Sequence, residues 1–469
     1  MTGRLAIVLG AGITGLSSAY NLAEAGWKVI VLEKENYIGG LSTTFKKEGL
    51  KFDFGPHKLY TQDRVVEKEI KKLVDKDLLS HPKKSSIRFF GNYLDYPINF
   101  KSLLLKMSPG MVVGFGLSSL KAVVLSPITN KKIKNSRDYF ISKFGMMPYK
   151  LIFGPLFKKV YGDPVILDPK LAETRLPFKS ILDAIRLALF KKKSIPSLSA
   201  KKFYYPKNGV IQLSEKMKNI IENNGGEVVI GVKIEKIFIK EKKVNKIVYK
   251  KNNKSVEITR PEAVISTIPL VDLVSCMSPW NNNVNRSSRM LKYRSLVVVY
   301  LLLKRKRVFK ESFVFFPEDK FVFQRLSEQN AFSKFMIPKD YSLLMAEVTL
   351  KNSSVLDERH LINNVIEDLI KIDIIKKTDV KKSFCLRYEK TYPIYDLKYR
   401  KNLKKVLDYI DKVNCLYSIG RQGLFLYTNI DHSIDMGMKL AKYLVSSKSK
   451  SSVAWKDISA EFLKYKIVD

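Results

Sequence analysis

The sequence predicts an α/β fold. A parallel-sheet, dinucleotide-binding domain is assembled from separated segments, and a second domain of α+β type is inserted between them. Three observations predict it. The chain opens on a strand, a glycine-rich turn, a helix and a second strand, with Gly10-Ala-Gly-Ile-Thr-Gly15 at the turn. A strand ending in glycine, Leu416–Gly420, recurs near the far end and is followed by another helical stretch. Between these ends, helical and strand patterns alternate over 469 residues, enough for two or three structural units.

Each element follows from local chemistry. Arg4–Leu9 is a short apolar run, read as a buried strand. Gly10 permits a tight turn, Gly12 lets backbone approach a pyrophosphate, and Gly15 lets helix and strand pack closely. Leu16–Ala25 has helical spacing and stops at Gly26. The helix start supplies N–H groups for phosphate, and Lys28–Leu32 delivers Glu33 to accept ribose hydroxyls. This motif in this context marks a Rossmann-like domain. Ser80–Ala200 is expected to be mainly helical, with hinges at Pro97, Pro109, Pro155 and Pro164. Within it Met107–Leu120 is the longest uncharged apolar stretch, too short to span a bilayer and expected to form a buried helix hairpin rather than a surface helix. A helix over Ile211–Asn223 and a strand over Glu227–Ile230 return to the nucleotide domain. Ala263–Ile268 is another buried strand carrying Thr267; Val297–Leu303 and Ser342–Thr349 read as strands of the second domain. Ser433–Leu444 is helical, and the Ser/Lys run Ser446–Ser452 reads as a linker to a helix around Ser459–Tyr465. The expected division is 1–80, 201–270 and 405–450 for the nucleotide domain, 81–200 for the helical insertion, 271–404 for an antiparallel-sheet substrate domain and 451–469 for a tail.

Composition narrows the function. Lys and Arg number 84 against 45 Asp and Glu, a net charge of +39. That field favours anionic partners: sugar nucleotides, acidic lipid surfaces or nucleic acid. A lysine bias over a solvated surface gives the same number, and without a stripe or recognised module no nucleic acid is expected. The expected partner is an anionic small molecule, with peripheral membrane contact and a homodimer left open. Cys276, Cys385 and Cys415 are too few and too far apart for a disulfide scaffold or a CxxC centre, which suggests a reducing, cytoplasmic setting. Four histidines without ligand spacing argue against zinc, and no metal is expected. No leader segment is read at the N-terminus.

The stretch from Glu33 to Thr44, with Gly39-Gly40 just after the acid, resembles the FAD-binding group that contains amine oxidases, protoporphyrinogen oxidases and UDP-galactopyranose mutases. The resemblance implies a discontinuous FAD-binding domain. It adds Lys34, Leu41, Val232 (beside the adenine), Thr267, Gly420 and Arg421 to the cofactor residues, and it implies non-covalent FAD. Further segments resemble the mutases in order along the chain: Phe54-Gly-Pro-His57, Phe144-Gly145, Tyr161-Gly162, Arg175-Leu-Pro177, Phe323-Gln-Arg325-Leu-Ser-Glu328, Tyr392-Pro-Ile394, and Gly420-Arg-Gln-Gly423 with Tyr427-Thr-Asn-Ile-Asp431. Departures fall on the substrate side: Lys179 replaces an Arg, Tyr161 a Trp, Tyr60 a His and Asn429 an Asp.

What the mutase resemblance implies is reduced flavin attacking the anomeric carbon of a nucleotide-linked sugar, for cell-surface glycan synthesis. Arg325, Arg175 and Lys179 would hold the diphosphate, Tyr392 and Tyr427 would contact it, and His57 would lie beside the flavin. The individual residues keep plainer alternatives: a loop-capping histidine, core tyrosines, a surface salt bridge at Arg325. The same resemblance allows an oxidoreductase that transfers a hydride to FAD, and a non-catalytic, basic FAD-binding protein.

Overall fold

The computed structural model describes residues 4–96, 100–128, 132–175, 202–351, 354–446, 452–465 and 467. Its first sheet has five parallel strands in the order Leu416–Ser418, Ala263–Ser266, Leu5–Leu9, Lys28–Leu32 and Glu227–Val229. Three distant stretches of chain therefore build one nucleotide-binding sheet. The run Ala6–Leu9 is wholly buried because both faces are covered, as parallel sheets require. Ala6, Val8, Val31 and Ile265 face one core with the helices Ile13–Glu24, Ile211–Asn223 and Ile430–Val445. Ile7, Leu9 and Val264 face the other, which includes Phe140, Phe157 and Leu273.

A second sheet of seven strands runs Val380–Pro393, Tyr293–Leu303, Ser342–Lys351, Arg325–Glu328, Phe313–Phe315, Ser85–Phe89 and Asn92–Asp95. Alternation along Tyr293–Leu303, the second strand, splits two further cores. Val297, Val299 and Leu301 pack with Leu361, Val365 and Leu369 of the helix Glu358–Lys371. Val298, Tyr300 and Leu302 pack with Phe52, Tyr205 and Met336 toward the nucleotide domain. A four-stranded sheet, ordered Lys254–Thr259, Lys243–Lys251, Lys233–Lys240 and Met277–Ser278, flanks the first.

Several expectations need correction. The segment expected to be mainly helical from residue 80 begins with strands: Leu78–Pro82 crosses the expected boundary, and Ser85–Phe89 and Asn92–Asp95 extend the seven-stranded sheet. Helices follow from Phe100 to Arg175, and Pro97 and residues 176–200 of that segment lie outside the described residues. Met107–Leu120 is not a buried hairpin. It belongs to the helix Pro109–Ile128, whose one face buries Phe115 and Ser119 while Val113, Leu117, Leu120 and Val124 on the other are exposed. The sequence places Arg325 between a strand over Phe321–Phe323 and a loop over Ser327–Ser333; instead Phe321–Phe323 is not a strand, and Arg325 opens the strand Arg325–Glu328. The linker residues 447–451 lie outside the described residues. The tail beyond them includes the helix Ser452–Phe462, which docks Trp455 edge-on against Tyr417 at 5.1 Å. Among the described residues no helix is long and apolar enough to cross a membrane.

Candidate functional site

A cavity of about 890 Å³ runs between the parallel sheet and the seven-stranded sheet, within the usual size range of cofactor and ligand sites. At one end it meets the glycine turn. Gly12 caps the helix Ile13–Glu24, which has no acidic residue in its first turn and no side-chain cap. Its first N–H groups and positive dipole end thus suit a phosphate. A Cβ built on Gly12 would meet no atom within 4 Å, so this position opens onto space. A Cβ on Gly15 would stand 2.0 Å from the Gly10 carbonyl oxygen, so there the glycine serves helix–turn packing. Gly39 N donates to the Ala11 carbonyl at 2.8 Å and forms a bridge with Gly12, which brings the second glycine pair against the turn.

Glu33 sits at the end of its strand, nearly buried. It accepts the Ala11 N–H at 2.7 Å and the Glu35 N–H at 2.9 Å, one on each carboxylate oxygen. Burial raises its pKa, and these two bonds act against the rise. Each oxygen has a further lone pair for a ribose hydroxyl. Thr267 donates to the Leu9 carbonyl at 3.0 Å, tying the strand Ala263–Ser266 to the turn. Lys34, Gly40, Leu41, Val232, Thr267, Gly420 and Arg421 also line this cavity.

The other end is formed by His57, Lys58, Arg325, Glu347 and Tyr392. Arg325 forms a fork with its cross-strand partner Glu347, Nε to Oε1 at 2.7 Å and Nη2 to Oε2 at 2.8 Å. Its guanidinium lies 5.4 Å from the Phe313 ring centre and 5.8 Å from that of Phe315. The Lys58 ammonium sits 4.0 Å from the Phe313 ring centre. His57 Nδ1 is 3.8 Å from Asp53 Oδ2, beyond hydrogen-bond reach. Burial, reinforced by the Arg325 charge, pulls the His57 pKa down to about 4, so the imidazole is neutral at pH 7.

The structure brings most of the expected residues together, but not all on the wall. Arg175 and Tyr427 form a layer behind it. Arg175 Nε donates to the Tyr161 hydroxyl at 2.6 Å, and its guanidinium lies 5.2 Å from the Tyr427 ring centre. The Tyr427 hydroxyl donates to the Pro393 carbonyl at 2.6 Å, deep in the core. Arg421 links the layer to the wall, 4.7 Å from the Tyr427 ring and bonded to the Thr391 and Thr428 carbonyls. Lys179 lies outside the described residues.

Sequence reasoning missed Asp53, Lys58 and Glu347. The signal for Glu347 was available: it is the lone acid in the apolar strand Ser342–Lys351. Asp53 stands similarly between Phe52 and Phe54.

With the geometry described, relatives can be compared. Residues 8–75 match the model of the NAD(P)-binding Rossmann-like domain. The crystal structure of reduced UDP-galactopyranose mutase superposes with a TM-score of 0.82 at 20% identity, covering 98% of this chain and 99% of that one. The chain thus has the fold of that mutase, with a Rossmann-like dinucleotide-binding unit at its start. Sequence likeness to curated proteins is local. L-amino-acid oxidase of Sistrurus catenatus edwardsii is 46% identical over 66 residues, 14% of this chain and 13% of its own. The 4,4'-diapophytoene desaturase of Staphylococcus aureus (strain COL) is 30% identical over 146 residues, 29% of this chain and 27% of its own. The chain thus matches well under a third of the length of these curated relatives.

FAD fits the cleft. The open face of Gly12 and the uncapped helix start suit the pyrophosphate, Glu33 the ribose, and a cavity of about 890 Å³ leaves room for a ring system.

Proposed function

We propose that this chain is a FAD-dependent enzyme acting on an anionic, nucleotide-linked sugar in the manner of a UDP-galactopyranose mutase. The observation that carries this reading is the TM-score of 0.82 to the mutase along 98% of the chain, where the likeness to a putative protoporphyrinogen oxidase and to a cyclohexylamine oxidase, also along nearly the whole chain, is lower at 0.70 and 0.64. The chemistry of the cavity end supports it. Lys58 and Arg325 bracket the Phe313 ring, and cation and fork together suit a diphosphate. Glu347 aims the Arg325 fork and offsets its charge, so Lys58 supplies much of the net attraction. Tyr392 presents a phenol kept protonated by burial, able to donate to a phosphate oxygen. Neutral His57 can offer or accept a hydrogen bond without adding charge. Bound FAD supplies electron transfer and, when reduced, a nucleophilic nitrogen. Glu33 and the turn at Gly12 orient it.

An oxidoreductase is the second reading, favoured by 46% identity over 66 residues to an L-amino-acid oxidase and by the structural likeness to a cyclohexylamine oxidase along 94% of the chain. The two are separated by redox sense. Protein reduced anaerobically with dithionite and given a panel of nucleotide sugars should yield isomerised sugar nucleotides, and the oxidised protein should yield none. Steady oxygen uptake with peroxide release by the oxidised protein would reject the mutase reading in favour of the oxidoreductase.

A further inference from the structure

The helix Pro109–Ile128 presents two apolar faces, and only one is covered. Phe115 packs with Phe89 and Ile152, and Ser119 donates to the Phe144 carbonyl at 2.8 Å. On the opposite side Val113, Leu117, Leu120 and Val124 are 58%, 63%, 60% and 49% exposed. Their spacing of four, three and four places them in one stripe down the helix. In the preceding helix, Phe100–Lys106, Leu104 and Leu105 are 50% and 73% exposed. Soluble helices place polar residues on such a face, and clustered exposed apolar side chains mark an interaction surface.

The charge around the stripe says what covers it. Residues 96–137 carry seven Lys or Arg and no Asp or Glu. Lys121, Lys132 and Lys134 are exposed; Lys106, also exposed, donates to the Tyr93 carbonyl at 2.6 Å and lies 4.0 Å from Asp95. At +39, two copies of the chain repel one another, which opposes burial of this face against its own kind. An acidic lipid surface answers both features: the apolar side chains enter the headgroup–acyl boundary and the lysines meet anionic headgroups. The helix is not long and apolar enough to cross the bilayer.

We infer that the stripe Val113, Leu117, Leu120 and Val124, with its surrounding lysines, docks the protein in the interfacial plane of an anionic membrane. The inference is independent of the reaction catalysed. The test is co-sedimentation of the full chain with vesicles of phosphatidylcholine alone and of phosphatidylcholine with phosphatidylglycerol. Binding is expected to the second only, and to weaken as salt is raised. The double variant Leu117→Gln/Leu120→Gln should lower the partition coefficient about tenfold or more, since each leucine contributes several buried methylene equivalents. Flavin content and melting temperature should be unchanged. Lys121→Glu/Lys134→Glu, which leaves the apolar stripe intact, should also weaken binding to the anionic vesicles. Absence of sedimentation, or a partition equal to the parent's in either double variant, overturns the inference. So does a dimer in solution that Leu117→Gln/Leu120→Gln dissolves, because a second copy would then be what covers the stripe.

Discussion

At Asp53, donors converge from three parts of the chain. Oδ1 accepts from the Thr44 hydroxyl at 2.6 Å and the Val210 N–H at 3.4 Å, and Oδ2 accepts from the Tyr205 hydroxyl at 2.6 Å. Its own N–H donates to Gln329 at 3.0 Å, and its carbonyl accepts from Tyr300 at 2.8 Å. One residue thus pins the glycine-turn side of the cavity to the seven-stranded sheet, 3.8 Å from His57. Burial lifts the Asp53 pKa to about 7, against a bonding contribution that lowers it. The folded chain therefore keeps this proton from about pH 4 to about pH 7, where the unfolded chain has lost it. Across that window Asp53 makes stability fall as pH rises. His57, depressed to about 4, acts in the opposite sense: below about pH 6.5 the unfolded chain gains a proton that the folded one refuses, so stability falls as pH falls. The two slopes oppose each other between about pH 4 and 6.5. Asp53→Asn removes one of them. Urea titrations of the flavin-loaded protein across that range should show an unfolding free energy that climbs more steeply with pH than in the parent, by at most about 1.4 kcal/mol per pH unit. An unchanged slope would mean that Asp53 is ionised in the folded protein.

Within the turn and first helix, two glycines of one motif carry different loads. Gly12 faces open space and Gly15 faces the Gly10 carbonyl. Gly12→Val should therefore leave the FAD-free protein within about 0.5 kcal/mol of the parent in stability, the range of an unhindered substitution, yet abolish flavin retention. Gly15→Ala should destabilise the FAD-free protein by roughly 1–3 kcal/mol, the scale of overpacking. Absorbance at the flavin band and urea unfolding separate the two; full flavin content in Gly12→Val would reject the turn as the pyrophosphate site. This element was legible in the sequence because its constraints are local: a positive φ at Gly10, an open Gly12 and a close approach at Gly15 each demand a residue type at a fixed spacing. The helix Pro109–Ile128 was misread for the converse reason. Apolar residues all round predict burial, and which side the rest of the molecule leaves uncovered is a tertiary fact. Arg325 shows the same limit. Its motif was readable, but its bidentate partner Glu347 lies 22 positions away and is brought opposite only by strand pairing.

On the scale of the whole molecule, the account joins two halves of one cavity. The dinucleotide half is built from the three segments that compose the parallel sheet, and the other half from the seven-stranded sheet. The overall charge of +39 adds a favourable, salt-sensitive field for an anion approaching that second half. The central claim is that a diphosphate is held there, beside the flavin, by Lys58 together with Arg325 working against Glu347. Titration of a nucleoside diphosphate followed by flavin fluorescence tests it most directly. The account predicts measurable affinity in the parent, a loss of roughly 2–4 kcal/mol in Arg325→Ala, the usual scale for truncating one partner of a buried charged pair, and tighter binding in Glu347→Gln with flavin content unchanged in both. No affinity in the parent, or equal affinity in all three proteins, would contradict it.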